Sequence, residues 1–250
     1  MVKLIGKVFF ENRKYFVTPK NRHLNVLTGN YKSGFKETNK FLNINEVTYD
    51  IPFKPNKLIG IGKNYPSHEN SNQDINFFLM TNNALIAHKK KLHLQKKIGS
   101  LIPEGELAVV LSKTVKNISP EDAKKVILGY TICNDFSARD VQSFQGEKIP
   151  ASIKKSSDGL LPLGPYFLLE DELKDFTIKT YKNKKLIQKG STREMINNIP
   201  KLISYISTFF TLKRFDLIAT GTPEPKTKSF RNDKIIIEIS GIGKLENIIY

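Results

Sequence analysis

Two glutamates one residue apart open a stretch that is otherwise almost wholly apolar, Pro103-Glu104-Gly105-Glu106-Leu107-Ala108-Val109-Val110-Leu111. Such a run reads as a strand. Strand side chains alternate faces, so Glu104 and Glu106 project together, on the face that Ala108 and Val110 carry into the core. Two like charges beside low-dielectric surroundings cost several kcal/mol unless a proton or a cation compensates them. Hard oxygen donors of this kind suit Mg²⁺ or Mn²⁺, and Ca²⁺ is a further hard cation of the same chemistry. In isolation the pair also fits an exposed strand end. A third carboxylate follows in Gly129-Tyr130-Thr131-Ile132-Cys133-Asn134-Asp135, an apolar strand with Asp135 at its C-terminal end. The next residues, Ser137-Ala138-Arg139-Asp140, match the S-x-x-D capping pattern, which predicts a helical turn with Arg139 and Gln142 on one side. Those two side chains could hold an anion or a carbonyl. The same pattern also fits a plain cap, with Arg139 paired to a surface carboxylate.

The elements that must position these residues are mostly strands. Residues 1–54 read as a small N-terminal β appendage, with short strands at Lys7–Phe10, Tyr15–Thr18 and Leu24–Leu27 broken by Asn, Gly and Lys. Pro52 and Pro55 mark the step into a second region, residues 55–250, whose apolar strands include Lys57–Ile61, Leu107–Leu111 and Tyr130–Cys133. Two segments read as helices. Pro120–Val126 has Ser119 as N-cap and Asp122 three residues on, and Asn198–Phe210 lines up Ile199, Leu202, Ile203, Ile206 and Phe210 on one face. A last pair of strands, Lys234–Ile239 and Lys244–Ile249, flanks a turn at Ser240–Gly243. The expected class is mainly β, of α+β type.

Length and composition narrow the function classes. A chain of 250 residues fits one large domain, or one domain with a small appendage. With 39% hydrophobic residues, 15 glycines and 12 prolines it is neither disordered nor fibrous. Its apolar runs fall short of the ~18 residues of a membrane span, so no membrane partner is expected. The single cysteine, Cys133, excludes an internal disulfide and a cysteine-based zinc site, and a cytoplasmic setting is expected. The net charge of +16, dense in lysines at His88–Lys97 and Lys182–Lys185, raises nucleic acid as a partner. No helix-turn-helix, zinc finger or aromatic stacking motif accompanies it, so nucleic acid is not expected. A lysine-rich surface instead steers small anions inward.

Five motifs occur in order: G-K-N-Y-x-x-H at Gly62–His68, E-x-E at Glu104–Glu106, N-D-F-S-A-R-D-V-Q at Asn134–Gln142, K-S-S-D-G-L-L-P-L-G-P at Lys155–Pro165, and T-G-T-P at Thr220–Pro223. Together, from about Asn56 to Asn247, they resemble the fumarylacetoacetate hydrolase family. The resemblance implies a β-sandwich roll behind a variable first domain, a homodimer, and a divalent cation held at the positions of Glu104, Glu106 and Asp135. It implies small anionic 2-oxo acid substrates or their enols, often dicarboxylates, turned over by enolate chemistry. Lys155 matches the family's active-site lysine. Arg139 and Gln142 match positions that contact substrate, as do Thr222 and the preceding Gly221.

His68 matches the histidine that activates water in hydrolytic members, where a glutamate commonly stands three positions later. Here that position is Ser71, and Glu69 is the nearby carboxylate. Lys154, next to Lys155 on an expected strand, should face the opposite way and be solvated. Met80 stands where the family often has a lysine, the stretch from His68 to Phe77 is short, and Glu224-Pro225-Lys226 replaces a glycine-rich turn. The reaction implied is hydrolysis of a C–C bond in an acylpyruvate-like compound or isomerisation of a hydroxymuconate-type dicarboxylate. An oxaloacetate-type decarboxylase or tautomerase, and a catalytically impaired metal- and ligand-binding relative, are the alternatives.

Overall fold

The computed structural model describes residues 2–66, 74–143, 146 and 149–250. Strands β1 (Leu4–Phe10) and β2 (Arg13–Lys20) meet at a two-residue turn where Glu11 and Asn12 both take positive φ, 46° and 62°, the turn geometry that follows strand twist. β3 (His23–Asn30) and β4 (Gly34–Asn43) extend this meander, and β5 (Thr48–Asp50) returns beside β1. Next come β6 (Leu58–Gly62), β7 (Asn76–Met80), β8 (Leu85–Ala87), β9 (Lys91–Leu92), β10 (Ile98–Ile102) and β11 (Gly105–Leu111). Helix α1 (Pro120–Ala123) leads into β12 (Ile127–Asn134) and β13 (Ser137–Val141), and α2 (Ala151–Ser156) into β14 (Leu161–Leu168), β15 (Thr177–Lys182) and β16 (Lys185–Ser191). After α3 (Ile199–Phe209) the chain closes with β17 (Leu217–Ala219), β18 (Lys234–Ile239) and β19 (Gly243–Ile249). The result is a β-rich α+β roll with minor helix content. No helix among the described residues is long and apolar enough to cross a membrane.

Among the described residues three sheets make the roll. The largest runs β4-β3-β2-β1-β14-β12-β11-β17-β6-β7, with β5 beside β1 and β8 beside β14. A five-stranded sheet, β16-β15-β18-β19-β9, packs on one face of it, and β10 and β13 form a separate two-stranded sheet. β11 lies near the centre and is buried along its whole length, which explains why it is apolar on both faces. Leu107, Val109 and Leu111 meet Ile178, Ile237, Leu245 and the apolar face of α3, while Ala108 and Val110 meet Cys133, Leu217 and Ala219 in a second core. The N-terminal strands continue the same sheet, since β1 pairs with β14 through Leu4↔Leu168 and Gly6↔Tyr166.

Both expected helices form, the first with its expected cap and the second with a cap, Asn198, that its apolar periodicity did not announce. Ser119 Oγ accepts a hydrogen bond from Asp122 N at 3.2 Å, and Asn198 Oδ1 accepts from Lys201 N at 3.0 Å. Two local expectations fail. The turn predicted at Ser137–Asp140 is strand β13, because β10 claims its backbone through Ile102↔Ser137, Leu101↔Ala138 and Ser100↔Arg139. Asp140 caps nothing and instead accepts from Ser100 Oγ at 2.6 Å. Lys154 and Lys155 lie on helix α2, entered through Pro150, and not on a strand. They are therefore ~100° apart around an axis and do not point in opposite directions.

One histidine ties the layers together. His88, just past β8, is 7% exposed, sets its ring edge-on to Tyr49 of β5 at 4.6 Å, and accepts a hydrogen bond from Glu246 N of β19 at its Nδ1, 3.0 Å away. Burial, reinforced by Lys89 and Lys234, pushes its pKa down to about 3. Below the ordinary imidazole value near 6.5 the unfolded chain takes up a proton that the folded chain refuses, so stability is full above pH 6.5 and falls with pH toward 3. Urea unfolding should lose up to ~1.4 kcal/mol per pH unit from this group within that window. His88→Asn, which keeps an acceptor for Glu246 N, should flatten the slope between pH 6 and 4. An unchanged slope would mean that His88 does not set it.

Candidate metal centre and active-site cavity

The register of β11 on β12, Gly105↔Asn134 and Glu106↔Cys133, brings the start of one strand against the end of the other. Two hydrogen bonds lock that junction. Asp135 N donates to Glu104 O at 2.9 Å, and Glu104 N donates to Asn134 Oδ1 at 2.9 Å. The side chains that leave it are carboxylates. Glu104, Glu106 and Asp135 are all buried, and one oxygen from each lies within 4.8 Å of the others. Like charges ~4 Å apart repel by roughly 4 kcal/mol even at an effective dielectric constant of ~20.

The surroundings show how this repulsion is met. Lys155 Nζ donates to Glu104 Oε2 at 2.7 Å and to Asp135 O at 3.0 Å, and pairs with Asp135 Oδ2 at 3.0 Å. Lys226 Nζ stands 3.6 Å from Glu104 Oε1. Burial pushes the Glu104 carboxyl up, but Lys155 and Lys226 outweigh it and hold it below the ordinary carboxylate range. Glu106 has less help. Burial, then Asp135 and Glu104, push its carboxyl well above the ordinary range, although Gly221 N donates to its Oε2 at 2.8 Å. Burial first, with Glu104 adding to it, lifts Asp135 to about 6 against the pull of Lys155. Burial works against the charge of Lys155, yet Asp135 and Glu104 hold its ammonium above the usual value.

This donor set fits a hard divalent cation. Asp135 Oδ1 has no hydrogen-bond partner and its Oδ2 is met only by the Lys155 ammonium, which leaves lone pairs on a buried carboxylate open to a further cation. Three carboxylate groups converge where a divalent charge would favour their ionised forms and cancel most of the resulting repulsion. The amide that orients Glu106 depends on a glycine. Gly221 has φ +97°, and a Cβ there would come 2.9 Å from Asn64 Cβ. Asn64 is itself fixed, donating from Nδ2 to Thr220 O at 2.8 Å and accepting from Asn197 N at 2.9 Å.

Glu104 and Glu106 line a cavity of about 380 Å³ together with Lys155, Arg139 and Thr222, whereas Asp135 is not among its lining residues and lies behind them against Lys155. Gly221 is not among the lining residues, and its N–H is donated to Glu106. Gln142 lines a separate cavity with Ile153 and Ser157, because three residues along a strand turn a side chain to the opposite face from Arg139. His68, with Glu69 and Ser71, lies outside the described residues. Met80 is buried in the second core against Leu58 and Ala84, and Phe78, two residues earlier on the same face, reaches the cavity.

Several lining residues were not nominated from sequence. Lys154 shares the wall with Lys155 because both sit on α2. Tyr65, inside the G-K-N-Y motif, is 5% exposed and its hydroxyl lacks a hydrogen-bond partner, as does Thr222 Oγ1. The motif itself held the signal for Tyr65. Lys226 was visible only as a departure from a glycine-rich turn.

Comparison with known proteins places this geometry. The chain is 34% identical over 200 residues, 77% of its length, to a 4-hydroxyphenylacetate degradation bifunctional isomerase/decarboxylase of Salmonella dublin, and it spans 46% of that longer protein. It is 37% identical over 226 residues to an oxaloacetate tautomerase of Bacillus subtilis, covering 82% of this chain and 74% of that one. Among solved structures, a 5-carboxymethyl-2-hydroxymuconate delta-isomerase from Mycobacterium smegmatis superimposes with a TM-score of 0.86 at 28% identity, over 98% of both chains. Residues 57–250 match the family described as fumarylacetoacetate (FAA) hydrolase C-terminal, and the chain belongs to that family.

Proposed function

We propose that this protein is a divalent-metal-dependent enzyme that moves a proton within a small 2-oxo acid or its enol, as an isomerase or tautomerase. The observation that carries the reading is the buried carboxylate triad, two of whose members, Glu104 and Glu106, line the cavity, with an ammonium drawn in among them. Membership of a family of hydrolases and isomerases supports enzymatic activity of that type. A divalent cation on Glu104, Glu106 and Asp135 supplies Lewis acidity that polarises a C2 carbonyl and favours its enolate.

The chain's own groups do the rest. Lys155 keeps its proton firmly, so it acts as a fixed positive charge and proton donor beside the developing enolate, not as a resting base. Arg139 offers a guanidinium suited to a carboxylate, and Thr222 offers a hydroxyl with no competing partner. Isomerisation is favoured over C–C hydrolysis by the relatives named above, an isomerase/decarboxylase, a tautomerase and a delta-isomerase. The family's description keeps hydrolysis of an acylpyruvate-like substrate as the second reading.

Ultraviolet absorbance with acylpyruvates, oxaloacetate and a hydroxymuconate-type diacid tests the proposal. At least one compound should lose its enol chromophore with Mg²⁺ or Mn²⁺, and chelator or Glu106→Ala should stop the change. An unbroken carbon skeleton in the product means isomerisation, two fragments mean hydrolysis, and turnover indifferent to chelator rejects the metal-dependent reading. Lys155→Met should lower kcat by about 10²–10⁴-fold while Mn²⁺ still binds.

Stability gives an independent readout. In metal-free protein Glu106→Gln puts a neutral side chain where burial and its neighbours already disfavour the ionised carboxyl, so it should raise Tm only at pH high enough to ionise Glu106. Saturating Mn²⁺ at ~100 times its Kd should raise wild-type Tm by about 5–10 °C and leave that variant unmoved. A metal-induced shift of equal size in both would exclude Glu106 as a ligand.

A further inference from the structure

The segment that replaces the family's glycine-rich turn is built into the cavity wall. After Pro223 the chain runs Glu224-Pro225-Lys226, and both Glu224 and Lys226 line the cavity. Its backbone is anchored on either side. Gln188, 3% exposed, donates from Nε2 to Pro223 O and, at 3.5 Å, to Pro225 O, while its Oε1 accepts from Thr180 Oγ1 at 2.7 Å. Pro223 presses so close to β16 that a Cβ on Gly190 would fall 2.5 Å from its Cγ. Downstream, Lys228 pairs with Asp140 at 2.8 Å, and Ser229 exchanges two backbone hydrogen bonds with Leu101, at 2.7 and 2.9 Å. Lys226 therefore projects from a fixed point above the carboxylate cluster.

Its ammonium is held far less firmly than its backbone. The contacts to Glu104 Oε1 at 3.6 Å and Glu224 Oε1 at 3.8 Å are ion pairs without a hydrogen bond, and the side chain is 31% exposed. Lys155, by contrast, is 12% exposed and makes bonds of 2.7 and 3.0 Å. A divalent cation together with Lys155 would balance the three carboxylates. Lys226 would then be surplus, alongside Lys63, Arg139 and Lys154, with Glu224 as the anionic residue lining the mouth. A monoanion leaves that surplus largely unmet.

We propose that Lys226 is the specificity-determining residue that receives the remote carboxylate of a dianionic 2-oxo acid, shifting to it from Glu104 once a divalent cation neutralises the cluster. This rests on the proposed function and adds the selection of diacids over monoacids. The short distance from Glu104 to Lys226 suits carboxylates separated by only a few carbons.

Calorimetry on Mn²⁺-loaded protein with 2-oxoglutarate and 2-oxovalerate tests this, because the pair differ only in a terminal carboxylate against a methyl group. Mn²⁺ affinity and Tm are measured first for each variant, so that loading and folding are known. Wild type should bind the diacid at least 10-fold more tightly. Lys226→Met should bring the two within about 2-fold by weakening the diacid alone, and Lys226→Arg should retain the preference. A preference that survives Lys226→Met, or an equal weakening of both ligands, overturns the role of Lys226 while leaving the 2-oxo acid reading in place. Equal binding of both acids by wild type does the same. If Mn²⁺ binds wild type and neither acid does, the 2-oxo acid reading falls and this proposal falls with it.

Discussion

Burying three carboxylates where two strands converge is the constraint around which this molecule is arranged. Left alone, the cluster would take up protons or push its strands apart. The fold offsets it with two ammonium groups, one backbone amide and a junction of hydrogen bonds that prevents separation. These groups come from distant parts of the chain, α2 and the segment leading from β17 to β18. The positions of those elements are thus set by the electrostatics of a few oxygen atoms as much as by apolar packing.

Packing supplies the rigidity that makes such a cluster tolerable. β11 has a core on each face, so its Cα trace cannot shift to relieve the repulsion without opening one of them. Large-sheet strands on either side of it, β12 and β17, deliver Asp135 and Gly221 to the same end. A site strained in charge sits at the stiffest part of the sheet, which is where preorganised ligands are best kept in place.

Much of this was legible in the sequence, and the parts that were not have identifiable reasons. Alternation along Glu104–Leu111 placed both glutamates on the face of Ala108 and Val110, and burial of that face turned a spacing into a site. The cores of α1 and α3 followed from caps and apolar periodicity. Ser137–Asp140 misled because a capping pattern is local, whereas the partner that claims this backbone, β10, lies some 40 residues earlier in the chain. Lys154 was misplaced for a similar reason: a short apolar-basic stretch does not declare whether its period is 2 or 3.6. Tyr65 was within reach because it belongs to the G-K-N-Y motif, but Lys226 could not be assigned from type or spacing, since what distinguishes it is the cavity it faces.

Gly221 and Lys226 belong to one stretch of six residues, and that has an evolutionary consequence. The amide of the first orients the Glu106 carboxyl, and the side chain of the second stands over Glu104. Substitutions that reshape this loop also perturb the geometry of Glu106, so under the proposed function drift in selectivity and drift in cation affinity would be genetically linked. Lineages of this fold would be expected to change substrate more readily by altering Lys154 or Arg139, whose elements carry no ligand, than by remodelling the segment that holds both duties.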